Sequence, residues 1–229
     1  MNPLEKFKQE AAEAAVALVE DGMILGLGTG STAKLAVEAL GKRVAAGLRV
    51  IGIPTSEFTG SQAQALGITV STLNEHPQVD MTIDGADEVE VHTLNLIKGH
   101  GGALLREKIV ASASQRLVII VDESKIVERL GSHFEVPVEV VPFGWPSAAR
   151  KLAALGAEVK LRPGDGGKPY VTDGGHYIID CQFGPIAAPA KLEQGLNSIV
   201  GVVEHGLFLG MATQVIVAGK DGIKVLRPE

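Results

Sequence analysis

The sequence predicts an α/β protein: a doubly wound, mostly parallel sheet over residues 1–130 and 206–229, with a smaller α+β unit inserted at 131–205. Three observations carry that expectation. Apolar, strand-like runs alternate with helix-length segments through the first 130 residues, and strands separated by helices imply crossover connections and parallel pairing. From about Gly131 the order changes to β-α-β-β-α-β, that of a ferredoxin-like unit. The composition, 45% hydrophobic and 21% charged with 28 glycines in 229 residues, suits a globular enzyme with many tight turns.

Taken in order, Leu4 to Glu20 is a helix with Ala12, Ala15, Val16 and Val19 on one stripe. MILGLG is a buried strand, STAKLAVEALGKRVAAG a helix and LRVIGIPTS a strand. EFTGSQAQALG is a helix ended by Gly67, and ITVSTL and VDMTID are strands. GGALLREKIVASAS is a helix and RLVIIVDES an apolar strand, completing a Rossmann-like alternation. In the inserted unit PVEVVP is a strand, WPSAARKLAALG a helix and AEVKLR a strand. After the turn RPGDGGKP come strand material in YVTDGGHYIIDCQF, the helix PAKLEQGLNSIVG and the strand VVEHGLFLG. The closing MATQVIVAGKDGIKVLR reads as a hairpin turning at Lys220-Asp221-Gly222, returned to the larger sheet.

Bulk properties narrow the function. A net charge of −6 offers no basic field to attract nucleic acid. The one cysteine, Cys181, cannot form an intrachain disulfide, which fits a reducing compartment. No run approaches the ~20 apolar residues that span a bilayer. The N-terminal stretch alternates charges with alanines and lacks the apolar core of a signal peptide. The expectation is a soluble cytoplasmic protein whose partner is neither nucleic acid nor membrane.

Three stretches carry chemistry. In GLGTGST, Gly26, Gly28 and Gly30 let the backbone turn sharply and approach a ligand closely. Ser31 and Thr32 add hydroxyls where the next helix offers amides and a partial positive charge. No lysine precedes the Ser-Thr pair, so this is no P-loop. The third glycine comes two residues after Gly28 instead of three, and no strand-end acid for a ribose follows Ile53, so the dinucleotide fingerprint fails as well. A phosphate site and a plain turn capped by Ser31 both fit this stretch alone.

VDMTIDGADEVE places Asp84 at a strand end, with Asp87 and Glu88 following, on the edge where open α/β sheets bind ligands. Neighbouring carboxylates repel, so one tends to hold a proton near neutral pH, which suits proton shuttling between hydroxyls. The plainer reading is an Asp-Gly turn with a solvated charge run. Without a His-Cys cluster or an EF-hand spacing, no metal is expected.

In IKGHGGALLREKIV, Lys98 precedes Gly99-His100-Gly101-Gly102, a glycine run that delivers amides at a helix start. Glu107 lies inside that helix, and its neighbours three and four residues away, Ala103, Leu104, Val110 and Ala111, are all apolar. Its carboxylate therefore sits on the inward face, where partial burial strengthens it as a base. The alternative is a glutamate that bends out to water or pairs with a distant arginine. His100 receives no role of its own, and Arg106 and Lys108 read as solvated charges.

Together GLGTGST, IPTS, DGADE, IKGHGGALLREKIV and VDESK, in that order and spacing, resemble ribose-5-phosphate isomerase of the A type. PVEVVP, KPYVTD, FGPI and the GLF of VEHGLFLG extend the resemblance over nearly the whole chain. One departure is His100, where the family's loop usually has glycine; Lys98, Gly99, Gly101 and Glu107 all match. The resemblance implies interconversion of D-ribose 5-phosphate and D-ribulose 5-phosphate in the pentose phosphate pathway. It implies no metal or organic cofactor, and a cytoplasmic homodimer, sometimes a tetramer. By similarity, Glu107 moves the proton between C2 and C1, while Lys98 and the amides after it stabilise the enediolate oxygen. Asp84 and Asp87 would assist ring opening and shuttle hydroxyl protons. Thr29, Gly30, Ser31 and Thr32 match the phosphate loop. Asp84, Gly85, Ala86 and Asp87, with Lys98, Gly99, His100 and Gly101, would line the sugar; Lys125 matches a substrate-binding lysine and Lys8 a lysine reaching the phosphate. Competing readings are a hexosamine-phosphate isomerase or deaminase, a sugar-phosphate sensor that binds without turnover, and a dinucleotide-dependent dehydrogenase. A sensor has no need of Glu107 and Lys98, and a dehydrogenase requires NAD affinity.

Overall fold

The computed structural model describes residues 3–228. The chain runs through α1 (Pro3–Val16), β1 (Ile24–Leu27), α2 (Ser31–Ala45), β2 (Ile51–Pro54), α3 (Glu57–Ala65), β3 (Thr69–Val70) and β4 (Met81–Asp84). It continues with β5 (Glu88–Glu90), β6 (Leu96–Ile97), α4 (Leu104–Ser112), β7 (Leu117–Asp122) and β8 (Ile126–Val127). Next come β9 (Val136–Val140), α5 (Trp145–Ala154), β10 (Glu158–Leu161), β11 (Tyr177–Gln182) and α6 (Pro189–Asn197). β12 (Val202–His205), β13 (Leu207–Phe208), β14 (Gln214–Gly219) and β15 (Gly222–Leu226) complete it.

These elements form two compact units. The first comprises the chain up to Ala86, Arg106–Ile126 and the chain from Met211 onward; the second comprises Asp87–Leu105 and Val127–Gly210. The division differs from the boundaries read at 131 and 206, chiefly because Asp87–Leu105 joins the second unit. That segment holds β5 and β6, strands of three and two residues, too short to show a period of two.

The first unit is built on a seven-stranded sheet of order β15-β14-β7-β4-β1-β2-β3. Every pairing is parallel except the β14–β15 hairpin at the edge. β7 and β14 are buried along their whole length, as continuous apolar strands covered on both faces should be. From β1 the sheet grows one way to β2 and β3, and then the other way through β4, β7 and β14. Between β1 and β4 the winding reverses, and ligands bind at the carboxyl ends of the strands beside such a reversal. On α1, Ala11, Ala12, Ala15 and Val16 are buried in the core. The helix stops at Val16, short of the expected Glu20, yet Val19 still enters the core from the turn that follows.

The second unit carries an antiparallel sheet of order β10-β11-β9-β12 with α5 and α6 in its crossovers, which is the ferredoxin-like arrangement. Val136, Val138, Val140, Leu152, Ile179, Cys181 and Leu196 form its core. A second sheet, order β13-β6-β5-β8, is made of strands of two or three residues. Its β5 is held by Glu88. That side chain is fully buried and accepts the backbone amides of Gly131 (2.6 Å), His133 (2.5 Å) and Phe134 (2.9 Å). The third acid of DGADE is therefore a structural carboxylate, not part of a solvated charge run.

Candidate active site

In the first unit the loop after β1 meets the end of β4. Gly28 donates its amide to the Ile83 carbonyl (3.0 Å), and Thr29 donates its amide to Asp84 Oδ1 (3.2 Å). The Gly85 amide reaches the same oxygen at 2.8 Å. Asp84 is thus buried (1% exposed) at the carboxyl edge of the reversal, with two amides holding its carboxylate. Gly28 makes this possible: a Cβ there would overlap the Asp84 carboxylate and lie 2.7 Å from its Cα.

The start of α2 departs from one expectation. Ser31 is the first helical residue, and Gly30 occupies the cap position at φ 118°, with no side-chain capping bond. Only glycine enters that region cheaply, and no hydroxyl covers the helix's opening amides. Gly30 and Ser31 are exposed and Thr32 is half-buried, so the helix end presents its amides and positive dipole to an incoming anion. Thr29 takes another part. Its hydroxyl joins those of Thr55 (2.7 Å), Ser56 (2.8 Å) and Thr59 (3.1 Å), while Thr59 donates to the Gly28 carbonyl (3.1 Å). Thr29 therefore shapes the loop by tying it to the ends of β2 and α3. Sequence reasoning missed this hydroxyl cluster; its signal is the S-x-x-T cap of α3, where Ser56 accepts the Thr59 amide at 3.1 Å.

Glu107 lies on α4 and is 3% exposed, which removes the reading in which it bends out to water. Val110, three residues on, stands against Gly26 of β1, 2.7 Å from where a Cβ would be. Ala113 accepts the Val79 amide (2.9 Å) just before β4, so α4 ends at the amino edge of the sheet and begins at the carboxyl edge. Glu107, three residues before Val110, therefore lies ~4.5 Å further along the helix axis toward that carboxyl edge. Arg106, beside it, approaches Glu57 at 3.6 Å and is not simply solvated. The helix starts at Leu104, later than expected, because Gly102 has φ 81°. Lys125 closes a 3₁₀ turn directly beyond β7, capped by Asp122, whose carboxylate accepts the Ser124 amide at 3.0 Å. Lys8 is paired with Glu5 on its own helix at 2.8 Å.

In the second unit Asp87 donates its amide to the Ile97 carbonyl (2.8 Å), and its Oδ2 accepts the His100 amide (3.1 Å). Asp87 and the lysine–glycine loop are therefore fastened together within the second unit. Lys98 follows β6, is 3% exposed, donates its amide to Gly206 (2.9 Å) and lies 5.4 Å from the centre of the Phe208 ring. Gly99 has φ 111° with Leu104 and Pro137 against it, and Gly101 is exposed. The unusual His100 has a structural use. Its Nε2 lies 3.3 Å from the Glu135 carbonyl and its ring meets Phe134 edge-on at 4.9 Å, fastening the loop to 134–135.

The predicted residues thus fall in two sets, with Thr29–Thr32, Asp84–Ala86, Glu107, Lys125 and Lys8 in the first unit and Asp87 and Lys98–Gly101 in the second. Among the described residues, no group of three or more His, Cys, Asp or Glu is placed to hold a metal ion. No described helix is long and apolar enough to cross a membrane.

Comparison with known proteins is specific. The family described as Ribose 5-phosphate isomerase A (phosphoriboisomerase A) matches residues 51–222. Ribose-5-phosphate isomerase A of Gloeobacter violaceus is 64% identical over 225 residues, 98% of this chain and 97% of its own. The solved ribose 5-phosphate isomerase A of Methanocaldococcus jannaschii is 45% identical, with a TM-score of 0.93 over 97% of this chain and 99% of that one. A D-ribose-5-phosphate isomerase solved in complex with phospho-erythronic acid is 39% identical, with a TM-score of 0.95 over 99% of this chain and 100% of that one.

Proposed function

The chain belongs to the ribose 5-phosphate isomerase A family, and on that premise we propose that it interconverts D-ribose 5-phosphate and D-ribulose 5-phosphate through an enediolate. The observation that carries the mechanism is Glu107, a carboxylate 3% exposed at the carboxyl edge of a sheet reversal. Moving hydrogen between C2 and C1 needs one base that reaches both carbons in turn, and a buried carboxylate is a stronger base than a hydrated one. Glu107 takes the C2 proton and returns it to C1. Lys98 and the amides that follow it oppose the charge that develops on the enediolate oxygen, where a water-poor setting makes a fixed cation most effective. Asp84 and Asp87 pass protons between the sugar hydroxyls and open the ring. The sugar phosphate rests on the amides of Gly30, Ser31 and Thr32, with Lys125 and Lys8 supplying charge and Thr29 holding the loop's shape. Gly85 and Ala86, with Gly99, His100 and Gly101, supply backbone along the sugar.

Phospho-erythronic acid pairs a phosphate with a planar carboxylate that imitates an enediolate, so it is expected to compete with substrate here. The reaction uses neither metal nor organic cofactor and belongs to the non-oxidative pentose phosphate pathway in the cytoplasm. The acting form is a homodimer. Supporting association, Phe143 and Val200 of the second unit are 95% and 85% exposed, and the nearby Val141 amide bonds to the Gly201 carbonyl. The test is direct: EDTA-treated protein must convert ribose 5-phosphate to ribulose 5-phosphate without NAD, and light scattering must give twice the chain mass. Turnover of a hexosamine 6-phosphate in preference to the pentose would overturn the substrate assignment.

A further inference from the structure

The loop that carries Lys98 is gripped from behind by a residue far away in sequence. Arg162, immediately after β10, donates from Nη1 to two successive carbonyls, those of Gly99 (2.9 Å) and His100 (3.2 Å). Its other two nitrogens are taken by Asp180 of β11, with Nε at 3.0 Å from Oδ2 and Nη2 at 2.5 Å from Oδ1. Both side chains are largely buried, 12% and 17% exposed, so neither samples other positions freely. A bidentate fork of this kind fixes direction as well as distance.

Tyr170 completes the grip. Its amide donates to the Arg162 carbonyl (2.9 Å), its ring lies 6.0 Å from the guanidinium carbon, and its hydroxyl fills the space a side chain at Gly102 would need. Burial pushes the Tyr170 phenol above its usual range, so it stays neutral there.

Peptide geometry carries the consequence. In a trans peptide the N–H points away from the C=O of the same unit. The peptide joining Gly99 to His100 offers its carbonyl to Arg162 and, on the far side, its N–H to Asp87 Oδ2 at 3.1 Å. The next peptide offers the His100 carbonyl to Arg162, so the Gly101 amide is turned to the side away from the guanidinium. One cation thereby aims two consecutive peptide dipoles and polarises both, strengthening the bond that holds Asp87.

We propose that Arg162, oriented by Asp180, is a positioning residue of the isomerase, fixing Asp87 and the Gly101 amide through the two peptides it binds. The proposal rests on the reading that Asp87 takes part in the reaction.

A double-mutant cycle tests it. Arg162→Lys keeps the charge but cannot bind Asp180 and two carbonyls at once, and is expected to lower kcat about tenfold with KM nearly unchanged. In an Asp87→Ala background the same change is expected to lower kcat less than ~3-fold, because one of the two groups it positions is gone and only the Gly101 amide remains. Amide exchange at His100, followed by NMR, is expected to accelerate in Arg162→Lys and in Asp180→Asn. Equal losses in both backgrounds, or unchanged His100 exchange, would overturn the positioning role while leaving the proposed reaction intact. A silent Asp87→Ala would remove the reading beneath it, and the proposal with it. Should Arg162→Lys fold poorly, Asp180→Asn gives the same cycle with the guanidinium still present.

Discussion

Replacing Gly28 by alanine should disable the enzyme and destabilise it together. The new Cβ would lie 2.7 Å from the Asp84 Cα, where ordinary contact begins near 3.4 Å, so β1 and β4 must part locally by about 0.7 Å. That movement takes the Gly28–Ile83 bond from 3.0 Å, and the Thr29–Asp84 bond from 3.2 Å, beyond hydrogen-bonding range. Two lost bonds at about 1 kcal/mol each, with overpacking of about 1–2 kcal/mol, give a destabilisation of about 3–4 kcal/mol. For a chain of this size the melting temperature should fall by about 6–16 °C. Asp84 moves with the strand, so kcat should fall by at least ~10-fold. Gly67→Ala is the control: φ is 76° but nothing lies within 4 Å, so it carries only left-handed strain. That strain costs about 1 kcal/mol and a few degrees, with kcat unchanged. Calorimetry and steady-state kinetics on both variants decide the matter. If Gly28→Ala melts no lower than Gly67→Ala and retains full kcat, the Gly28–Asp84 contact does not do what is argued.

Other outcomes follow from the same geometry. Lys98→Ala should lower kcat by ~10²-fold and raise KM far less, because in the proposed mechanism its charge opposes one that develops only in the transition state; a pure KM effect would make it a binding residue only. His100→Gly loses the Phe134 and Glu135 contacts and loosens the backbone, about 1–2 kcal/mol together, so thermal unfolding should come about 2–8 °C earlier. An unchanged or higher melting temperature would contradict the anchoring role. Burial pushes the Cys181 thiol up to about 12, so at pH 8 it is neutral in the folded protein. Iodoacetamide should therefore leave the native protein unmodified and label it fully in denaturant; rapid native labelling would refute the burial.

Much of this was legible in the sequence because it rests on periodicity and local neighbours. The long apolar strands and the β-α-β-β-α-β order needed only the alternation of apolar runs. Glu107 announced itself through four apolar residues at helical spacing, and burial on α4 follows from that pattern. What stayed hidden depends on conformation or on distant partners. Ser31 looked like a cap because its hydroxyl suits one, yet Gly30 can adopt the positive φ the turn requires and takes the position. Glu88 looked solvated, but it satisfies amides more than 40 residues further on. Arg162 meets its carbonyls across 63 and 62 residues, so no local pattern could mark it.

The central claim is that Glu107 carries one proton between two carbons. The measurement is deuterium uptake at C1 during turnover of ribose 5-phosphate in D₂O by EDTA-treated protein, followed by NMR, for the natural sequence and for Glu107→Gln. The account predicts ribulose 5-phosphate with deuterium at C1, and a loss of both conversion and uptake by at least ~10²-fold in the variant, whose shape is kept and whose base is gone. Unimpaired exchange and turnover in Glu107→Gln would place the base elsewhere and contradict it.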